Sequence, residues 1–415
     1  MAPLQNVALV DFIHCLSRTM DLVSKAVVDH HVRVGYFAFR LATDAGFSSG
    51  VCRDLLVAGL LHDAGALSLT SRLDALQFEH DGTVHAEAGY RLLRPYPRLR
   101  RPAEYVRLHH TSYLDMREMS EVLPGAGILQ LADRVDALID RGGPLHMQIQ
   151  SIRERIRLQA GRLLDPEHVD LFLSYAPEHT FWTEAERPQE RLRSMASSQL
   201  PPEMLEPPEV LELSLLFSQI IDFRSRFTST HSSGVAECAT VLARMIGFDD
   251  QRLRLMRVAG NLHDLGKLAV PREILDKPGL LDEREWQIMR DHAMYTEQVL
   301  ADLPGMERIA RWAGDHHERL DGRGYPSGLG SDELSLGSRI VAVADVFTAL
   351  SEDRPYRAGM QQSDVLNVMR DMAGTALDGD VVALLDRNHE EINGLRRAAQ
   401  QRAARLFSGF DSEVL

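Results

Sequence analysis

The feature that most constrains this chain is a pattern of histidine and aspartate residues that occurs twice. The first half carries His30, His62-Asp63, His85, His109-His110 and Asp133, and the second carries His231, His263-Asp264, His292, His316-His317 and Asp345. The first interval is 32 residues in both halves (30 to 62 and 231 to 263), and a later interval is 24 in both (85 to 109 and 292 to 316). The surrounding text agrees, with GLLHDAG against GNLHDLG and LADRVDAL against VADVFTAL. We infer an internal duplication of a unit of roughly 175 residues.

The chain is expected to be helical throughout. Apolar residues recur at helical spacing in segments 30–42, 52–61, 120–140, 234–246, 253–262 and 338–350, and no stretch alternates clearly enough to predict a strand. Asp282, which follows Pro278-Gly279, predicts the start of a further helix with a capping carboxylate. The sequence therefore predicts an all-α protein made of two related helical domains.

The domain boundaries follow from the repeat and from one change in composition. Residues 177–208 pass from a charged stretch into a segment with four prolines between 201 and 208, which is typical of a linker. We expect a first domain over 1–176, this linker over 177–208, a second domain over 209–394 that begins with a helix, and a helical tail over 395–415.

Composition excludes several classes of protein. There is no apolar run of about eighteen residues to span a membrane, and the N-terminal segment lacks the basic and long apolar regions of a signal peptide. The three cysteines are widely scattered, which is typical of a protein of the reducing cytoplasm. A net charge of −14 argues against a nucleic-acid polymer as the main partner, because such partners require basic surfaces.

The repeated residues have the chemistry of a metal site. Imidazole with carboxylate and no thiolate favours iron, manganese, nickel, cobalt or zinc over magnesium or calcium. Seven ligands exceed what one tetrahedral ion takes, but they suit two octahedral ions that share a carboxylate, an arrangement used for phosphoryl chemistry. The histidines without a counterpart are interpreted as surface or hydrogen-bonded core residues; they are His14, His31, His80, His146, His168, His179 and His389.

The second half also carries a more specific resemblance. The segments His263-Asp264-Leu265-Gly266-Lys267 and HHERLDGRGYP (316–326) resemble the HD-GYP family of cyclic dinucleotide phosphodiesterases, as do segments 274–292, 338–350 and 354–357. The resemblance covers about residues 210–390, whereas the first half is similar only to the wider HD phosphohydrolase superfamily. It implies hydrolysis of a cyclic dinucleotide to the linear dinucleotide, and further to mononucleotides in some members.

The resemblance assigns a role to each matching residue. It implies one metal at His231, His263, Asp264 and Asp345, and a second at Asp264, His292, His316 and His317, with iron or manganese favoured. Asp264 and Lys267 are the implied catalytic residues, and Lys267 would lie near the scissile phosphate. Arg354 and Arg357 match basic residues that bind substrate. The loop Gly324-Tyr325-Pro326 matches one linked to partner contacts, such as those with a cyclase domain.

Two positions depart from the family pattern. Phe227 stands where some members place a carboxylate that helps to hold a third metal, so two ions are expected. Thr348 stands where members commonly carry an aspartate associated with substrate recognition. This leaves open the choice between cyclic di-GMP, which we favour, and 3′3′-cyclic GMP-AMP.

The first half keeps the full ligand set but lacks two features of the second. Ala66 replaces the lysine, and nothing like Gly-Tyr-Pro follows His110. We expect metal binding without efficient catalysis, and a role in modulating or dimerising the second domain. A second active hydrolase and an empty, hydrogen-bonded core are the alternatives. For the whole chain the alternatives are a sensor of nucleotide or metal that docks a partner, and a hydrolase of a nucleoside phosphate or alarmone.

Overall fold

A computed structural model describes residues 7–22, 28–66, 83–175, 179–224, 230–277, 279–352 and 359–414. Helices dominate these residues, which confirms the predicted all-α class. The chain divides into two compact units, residues 8–203 and residues 204–413. Within the described part of the chain, none of the helices combines the length and the apolar character that crossing a membrane requires.

The first unit is built around three central helices. Its helices are α1 (Leu9–Asp21), α2 (His30–Asp44), α3 (Ser49–Leu61), α4 (Thr83–Leu93), α5 (Arg100–Leu108), α6 (Tyr113–Glu118), α7 (Ala126–Ala137), α8 (Ile149–Arg157), α9 (Pro166–Tyr175), α10 (His179–Ala185) and α11 (Pro188–Gln199). Short 3₁₀ helices span Pro97–Leu99 and Leu145–Met147. Helices α2, α3 and α7 pack against one another, and α4 packs on α5. The candidate ligands of this unit lie on these five helices or directly after them.

The second unit repeats this plan. Its helices are α12 (Pro207–Arg224), α13 (His231–Ile246), α14 (Asp250–Leu262), α15 (Arg272–Leu275), α16 (Glu283–Ala301), α17 (Glu307–Gly314), α18 (Leu336–Ser351), α19 (Gln362–Met372), α20 (Gly379–Arg387) and α21 (His389–Val414), with 3₁₀ helices at Leu265–Ala269 and Asp315–His317. Asp282 and Glu285 form a capping box at the start of α16, which confirms the predicted helix start. The described residues also contain two two-residue strands, β1 (Val7–Ala8) and β2 (Met204–Leu205).

A close helix crossing sets the geometry of each unit. A Cβ added to Gly59 in α3 would lie 2.6 Å from the Cα of Gly35 in α2, and one added to Gly260 in α14 would lie 2.5 Å from the Cα of Ala236 in α13. Only glycine at these positions lets the two backbones approach so closely. The crossing brings the histidine that begins one helix beside the histidine that follows the next.

The segment predicted as a linker is largely helical. Helices α10 and α11 occupy most of residues 177–208, and Phe181 and Trp182 are buried beside Phe37 of the same unit. The linker prediction rested on the charged and proline-rich composition and did not take account of this aromatic pair. The burial of the two rings makes the segment part of the first unit. The predicted tail is likewise part of a longer helix, because α21 begins at His389, and Arg396 within it is buried.

Candidate metal centres

The structure brings together all seven predicted ligands of the second unit. His231 begins α13, His263 follows α14, Asp264 precedes the 3₁₀ helix Leu265–Ala269, His292 lies in α16, His316 and His317 lie in the 3₁₀ helix Asp315–His317, and Asp345 lies in α18. Ligand atoms of His231, His263 and Asp264 lie within 4.8 Å of one another, as do those of His292, His316 and His317. Six of the seven predicted ligands therefore form two adjacent groups of three.

Asp264 lies between the two groups. Its Oδ2 is 3.3 Å from His263 Nε2, and its Oδ1 is 3.4 Å from His292 Nε2 and 3.7 Å from His316 Nε2. Asp345 Oδ1 lies 3.1 Å from His231 Nε2 on the first side. One carboxylate thus faces both groups, which is the arrangement expected of a ligand shared by two ions.

The hydrogen bonds of His292 and His316 leave their inward nitrogens without a proton. His292 Nδ1 donates to the carbonyl of Met289 at 2.5 Å, and His316 Nδ1 donates to that of Ala313 at 2.5 Å. Burial lowers the pKa of His292 to about 4 and holds the pKa of His316 well below its usual value, so both rings are neutral. A neutral imidazole has one N–H, and each Nε2 therefore presents a lone pair.

These lone pairs point at one another and at a carboxylate. His292 Nε2 and His316 Nε2 are 3.4 Å apart. Asp264 Oδ1 and His263 Nε2 are buried, and neither has a hydrogen-bond partner among the residues that the structure describes. Buried acceptors that face each other without a donor are costly. A cation between them removes that cost, so the residues fit a metal.

A glycine explains the motif His-Asp-X-Gly. A Cβ on Gly266 would lie 2.0 Å from the carbonyl oxygen of His292, and a Cβ on Gly65 would lie 2.2 Å from that of His85. The turn after the aspartate therefore packs directly on the helix that carries the next histidine. Any side chain at either glycine would push Asp264 or its counterpart away from that histidine.

An outer carboxylate that the sequence did not indicate orients His231. Glu352 Oε2 accepts a hydrogen bond from His231 Nδ1 at 2.9 Å, and Gln400 of α21 donates to the other oxygen of Glu352. Burial opposes the charged form of His231, but Glu352 and Asp345 outweigh it and raise its pKa to about 10. Metal-binding histidines usually donate their second nitrogen to a carboxylate or carbonyl in this way.

The Gly-Tyr-Pro loop forms one wall of the centre. The ring of Tyr325 lies 4.7 Å from that of His317, and a Cβ on Gly324 would lie 2.4 Å from the Cα of Glu318. Glu318 is buried and accepts backbone N–H bonds from Ser327, Gly328 and Leu329 at 2.6, 3.0 and 3.0 Å. A single carboxylate therefore holds the loop against the histidine pair, a role that the sequence did not reveal.

Cationic and aromatic side chains, those of Lys267, Trp286, Arg290 and Tyr325, border the exposed side of the centre, which we call the opening. Lys267 Nζ lies 2.5 Å from Asp264 Oδ2, and the lysine side chain is 26% exposed. Trp286 is 47% exposed, with its ring 6.3 Å from that of Tyr325. The guanidinium of Arg290 lies 4.9 Å from the centre of the Tyr325 ring. The opening can therefore receive both an anion and a flat aromatic group.

The structure places one of the three predicted substrate residues, Thr348, away from this opening. Thr348 is fully buried, and its hydroxyl has no partner within the described residues. It packs toward Gly234 of α13, so the expected substrate contact does not fit its position. The physical reason is that Thr348 lies on the face of α18 that packs on α13. Arg354 and Arg357 lie outside the described residues.

The predicted residues of the first unit also converge. His30, His62 and Asp63 form one group and His85, His109 and His110 another, each with ligand atoms within 4.8 Å. Asp133 Oδ1 lies 3.7 Å from His30 Nε2 and 3.6 Å from His62 Nε2, and Asp63 Oδ1 lies 3.1 Å from His85 Nε2. The arrangement matches that of the second unit, ligand for ligand.

The surroundings of the first centre are different. His30 Nδ1 bonds to Asp136 Oδ2 at 2.6 Å, and Asp136 also binds the guanidinium groups of Arg33 and Arg141. Asp136 occupies the repeat position of Thr348, not that of Glu352. Burial and the nearby charge of Arg134 lower the pKa of His110 to about 2.

Family models, relatives and a solved structure match this chain. Two models described as HD domain match residues 27–138 and 215–381. The 3′3′-cGAMP-specific phosphodiesterase 1 of Vibrio cholerae is 32% identical over 93% of both chains. A cyclic di-GMP phosphodiesterase of Pseudomonas aeruginosa is 38% identical over 36% of each. The crystal structure of a cyclic GMP-AMP-specific phosphodiesterase of V. cholerae shares the fold, with a TM-score of 0.63 and 24% identity over 95% of this chain and 98% of that one.

These similarities decide the family. HD domains are metal-dependent, and both units carry groups of histidine and aspartate that could hold a metal ion. A relative at this identity over nearly the whole length of both chains shows common ancestry of the two-unit arrangement as well as of each domain. The chain belongs to the HD-GYP phosphodiesterase family, with a further HD domain ahead of the one that carries Gly-Tyr-Pro.

Proposed function

We propose that the second unit hydrolyses a phosphodiester bond of a cyclic dinucleotide with the help of two divalent metal ions. The observation that carries the proposal is the convergence of His292 Nε2, His316 Nε2 and Asp264 Oδ1, three buried acceptors with no donor between them. The proposed ligands are His231, His263, Asp264 and Asp345 for one ion, and Asp264, His292, His316 and His317 for the other. Iron or manganese is favoured, with nickel, cobalt and zinc as alternatives.

The side chains at the opening have separate tasks. Bound metal ions would activate a water molecule and offset the charge that develops on the phosphate. Lys267 is partly exposed and bound to Asp264 through one of its three donors, so its other N–H groups can turn to a phosphate oxygen. A lysine presents a compact point charge, which suits a single phosphoryl oxygen.

The aromatic groups beside the centre support a nucleotide substrate. Tyr325 packs on His317, and Trp286 presents an exposed ring next to it. Nucleobases stack on such rings, and each stacked base is worth about 1–3 kcal/mol. A substrate with two phosphates and two bases therefore meets both a cationic centre and an aromatic wall.

The identity of the bases is a finer question. The sequence favours cyclic di-GMP, and the P. aeruginosa relative is named for that substrate. The V. cholerae relative that spans the chain is named for 3′3′-cGAMP, which makes that nucleotide the second candidate. Both are cyclic dinucleotides, so the proposed chemistry is the same for either.

One assay tests the proposal. The full chain is reconstituted anaerobically with manganese or iron and assayed against cyclic di-GMP, 3′3′-cyclic GMP-AMP and cyclic di-AMP side by side. We expect turnover of one or both guanine-containing nucleotides, and loss of both metal and turnover in Asp264→Ala. Lys277→Ala is the matched control, because Lys277 pairs with Glu285 and not with a predicted ligand. Full activity of Asp264→Ala would refute the mechanism, and bound nucleotide without product would support the sensor alternative.

Partners and location remain proposals from the sequence. We propose that Gly324-Tyr325-Pro326 contacts a cyclase or another signalling protein, and that the chain forms a homodimer; the three loop residues are partly exposed. Light scattering with and without a purified cyclase domain tests both. We also propose a cytoplasmic location, which the three free, buried cysteines support.

A further inference from the structure

A buried arginine distinguishes the first centre from the second. Arg134 follows Asp133 in α7, at the repeat position that Val346 occupies in α18. Its exposed fraction is 2%, and its Nη2 and Nε lie 2.5 and 3.1 Å from Asp133 Oδ2. The guanidinium thus occupies one oxygen of a predicted metal ligand.

The same guanidinium fixes the tautomer of His110. Arg134 Nη2 lies 3.5 Å from His110 Nδ1. A guanidinium can only donate, so His110 Nδ1 accepts, and the single proton of the neutral ring is on Nε2. His110 Nε2 lies 3.0 Å from His85 Nε2 and therefore donates to it. Two of the three imidazole nitrogens that would bind the second ion, those of His85 and His110, therefore satisfy each other instead.

The second centre has the opposite arrangement. Val346 offers no donor, and His317 Nδ1 lies 4.0 Å from Asp345 Oδ2, an acceptor. This distance is beyond a hydrogen bond, so no donor among the described residues fixes the proton of His317 on Nε2 as Arg134 does for His110. The cation of this centre is Lys267, which is partly exposed and can turn away from Asp264, whereas Arg134 is enclosed.

The other half of the first centre is unaffected by the arginine. Asp133 Oδ1, the oxygen that Arg134 does not bind, faces His30 Nε2 and His62 Nε2. Asp63 Oδ2 lies 3.7 and 3.5 Å from the same two nitrogens. His30 Nε2 and His62 Nε2 are 3.1 Å apart, but their Nδ1 atoms bond to the acceptors Asp136 and the Gly59 carbonyl and not to a guanidinium. Two carboxylate oxygens and two imidazole nitrogens remain directed at one position, a donor set that suits a single divalent ion.

We propose that the first centre takes one divalent ion, at His30, His62, Asp63 and Asp133, and that Arg134 replaces the second ion. This inference rests on the proposed function in one respect only, namely that the ligand is a divalent metal ion. A centre with one ion and no mobile cation lacks the two-ion arrangement of phosphoryl transfer. The first unit then binds metal without sharing the catalytic chemistry of the second.

The test counts ions in the full chain. A background variant, His263→Ala with Asp264→Ala, removes ligands of the second centre. After anaerobic loading with Mn²⁺, we expect one ion per chain by mass spectrometry and a six-line EPR spectrum of an isolated ion. Adding Arg134→Val should raise the count to two and give the spectrum of a coupled pair. Arg134→Lys, which keeps the cation, should leave the count at one.

Each other outcome would overturn the inference. Two ions in the background, none there, or no gain with Arg134→Val would each contradict it. Because Arg134→Val leaves Asp133 without its partner, Arg134→Gln and a thermal melt check that a low count does not reflect unfolding. The ion count of the parent chain minus that of the background tests the proposed function separately, since it reports the second centre. The reverse change, Val346→Arg, should remove one ion from that centre.

Discussion

Removal of Glu352 should weaken metal binding at the second centre without unfolding the unit. Glu352 contacts no predicted metal position itself, but it accepts the hydrogen bond from His231 Nδ1 at 2.9 Å and is largely buried. It fixes which nitrogen of His231 carries the proton and how the ring is turned. Without it, the ring must be oriented by the metal alone, so part of the binding free energy is lost.

The size of the loss follows from the type of contact. Loss of an outer carboxylate on a metal-bound histidine typically costs about 10–100-fold in affinity, which is about 1.4–2.7 kcal/mol. Glu352→Ala also leaves Gln400 without its carboxylate partner, so we expect a loss near the upper end. Glu352→Gln keeps an acceptor for His231 but loses the charge, and we expect a loss near tenfold.

Competition between the protein and a chelator measures the affinity, and thermal melts of the metal-free chain check the fold. Asp140→Ala is the matched control, because Asp140 has the repeat position of Glu352 in the first unit but its carboxylate accepts a hydrogen bond from the backbone N–H of Gly142. It should leave the affinity of both centres unchanged. An unchanged metal affinity in a folded Glu352→Ala chain would show that this carboxylate does not orient the histidine.

Three further changes test separate parts of the structure. Lys267→Ala should lower kcat by about 10²–10³-fold, as expected for loss of one preorganised donor, while the metal content stays constant. Parallel loss of metal from this variant, or an equal fall of kcat in Lys277→Ala, would contradict the role of Lys267 at the phosphate. Gly266→Ala should lower the free energy of unfolding of the second unit by more than about 2 kcal/mol in urea, because the added Cβ would overlap the carbonyl oxygen of His292 in α16. Gly394→Ala is the control and should leave this free energy unchanged, because the described structure has open space around Gly394. Burial lowers the pKa of His168, so on acidification the unfolded chain binds a proton that the folded unit does not. The stability of the first unit should therefore fall below about pH 6.5. Thermal melts of His168→Gln should show a smaller fall, and an equal fall would rule out this contribution.

The fold class and the two ligand sets could be predicted because they repeat. Each predicted ligand sits at the start, end or inner face of a helix, and the helix lengths that separate them fix the intervals. A duplicated chain keeps those intervals where the helices still pack. His30 and His231 could therefore be matched by their spacing to the next histidine, whereas Asp133 and Asp345 were matched by the flanking sequences LADRVDAL and VADVFTAL.

The contacts that support the ligands could not be predicted, because they do not repeat between the two units. Asp136 and Glu352 each bond to Nδ1 of the first histidine of their own centre, but they do so from different repeat positions. Alignment of the two copies therefore does not identify either of them. Arg134 is one of four differences between the segments LADRVDAL and VADVFTAL, and only its burial against Asp133 shows what it does. Contacts of this kind depend on which side chains meet in space, which spacing along the chain does not report.

The two carboxylates behind the first histidine of each centre also limit how such domains can be redesigned. Asp136 lies three residues after its metal-facing aspartate, and Glu352 lies seven residues after its own, one helical turn further along. Because the two units carry the same seven ligand types, exchanging those residues alone changes nothing, and the group that orients the first histidine moves only with the helix that carries the aspartate. The smallest part that can be exchanged with its support intact is the whole of α7 or α18 with the residue that follows it. An engineer who wants a working centre in the first unit must transplant a helix and not a motif.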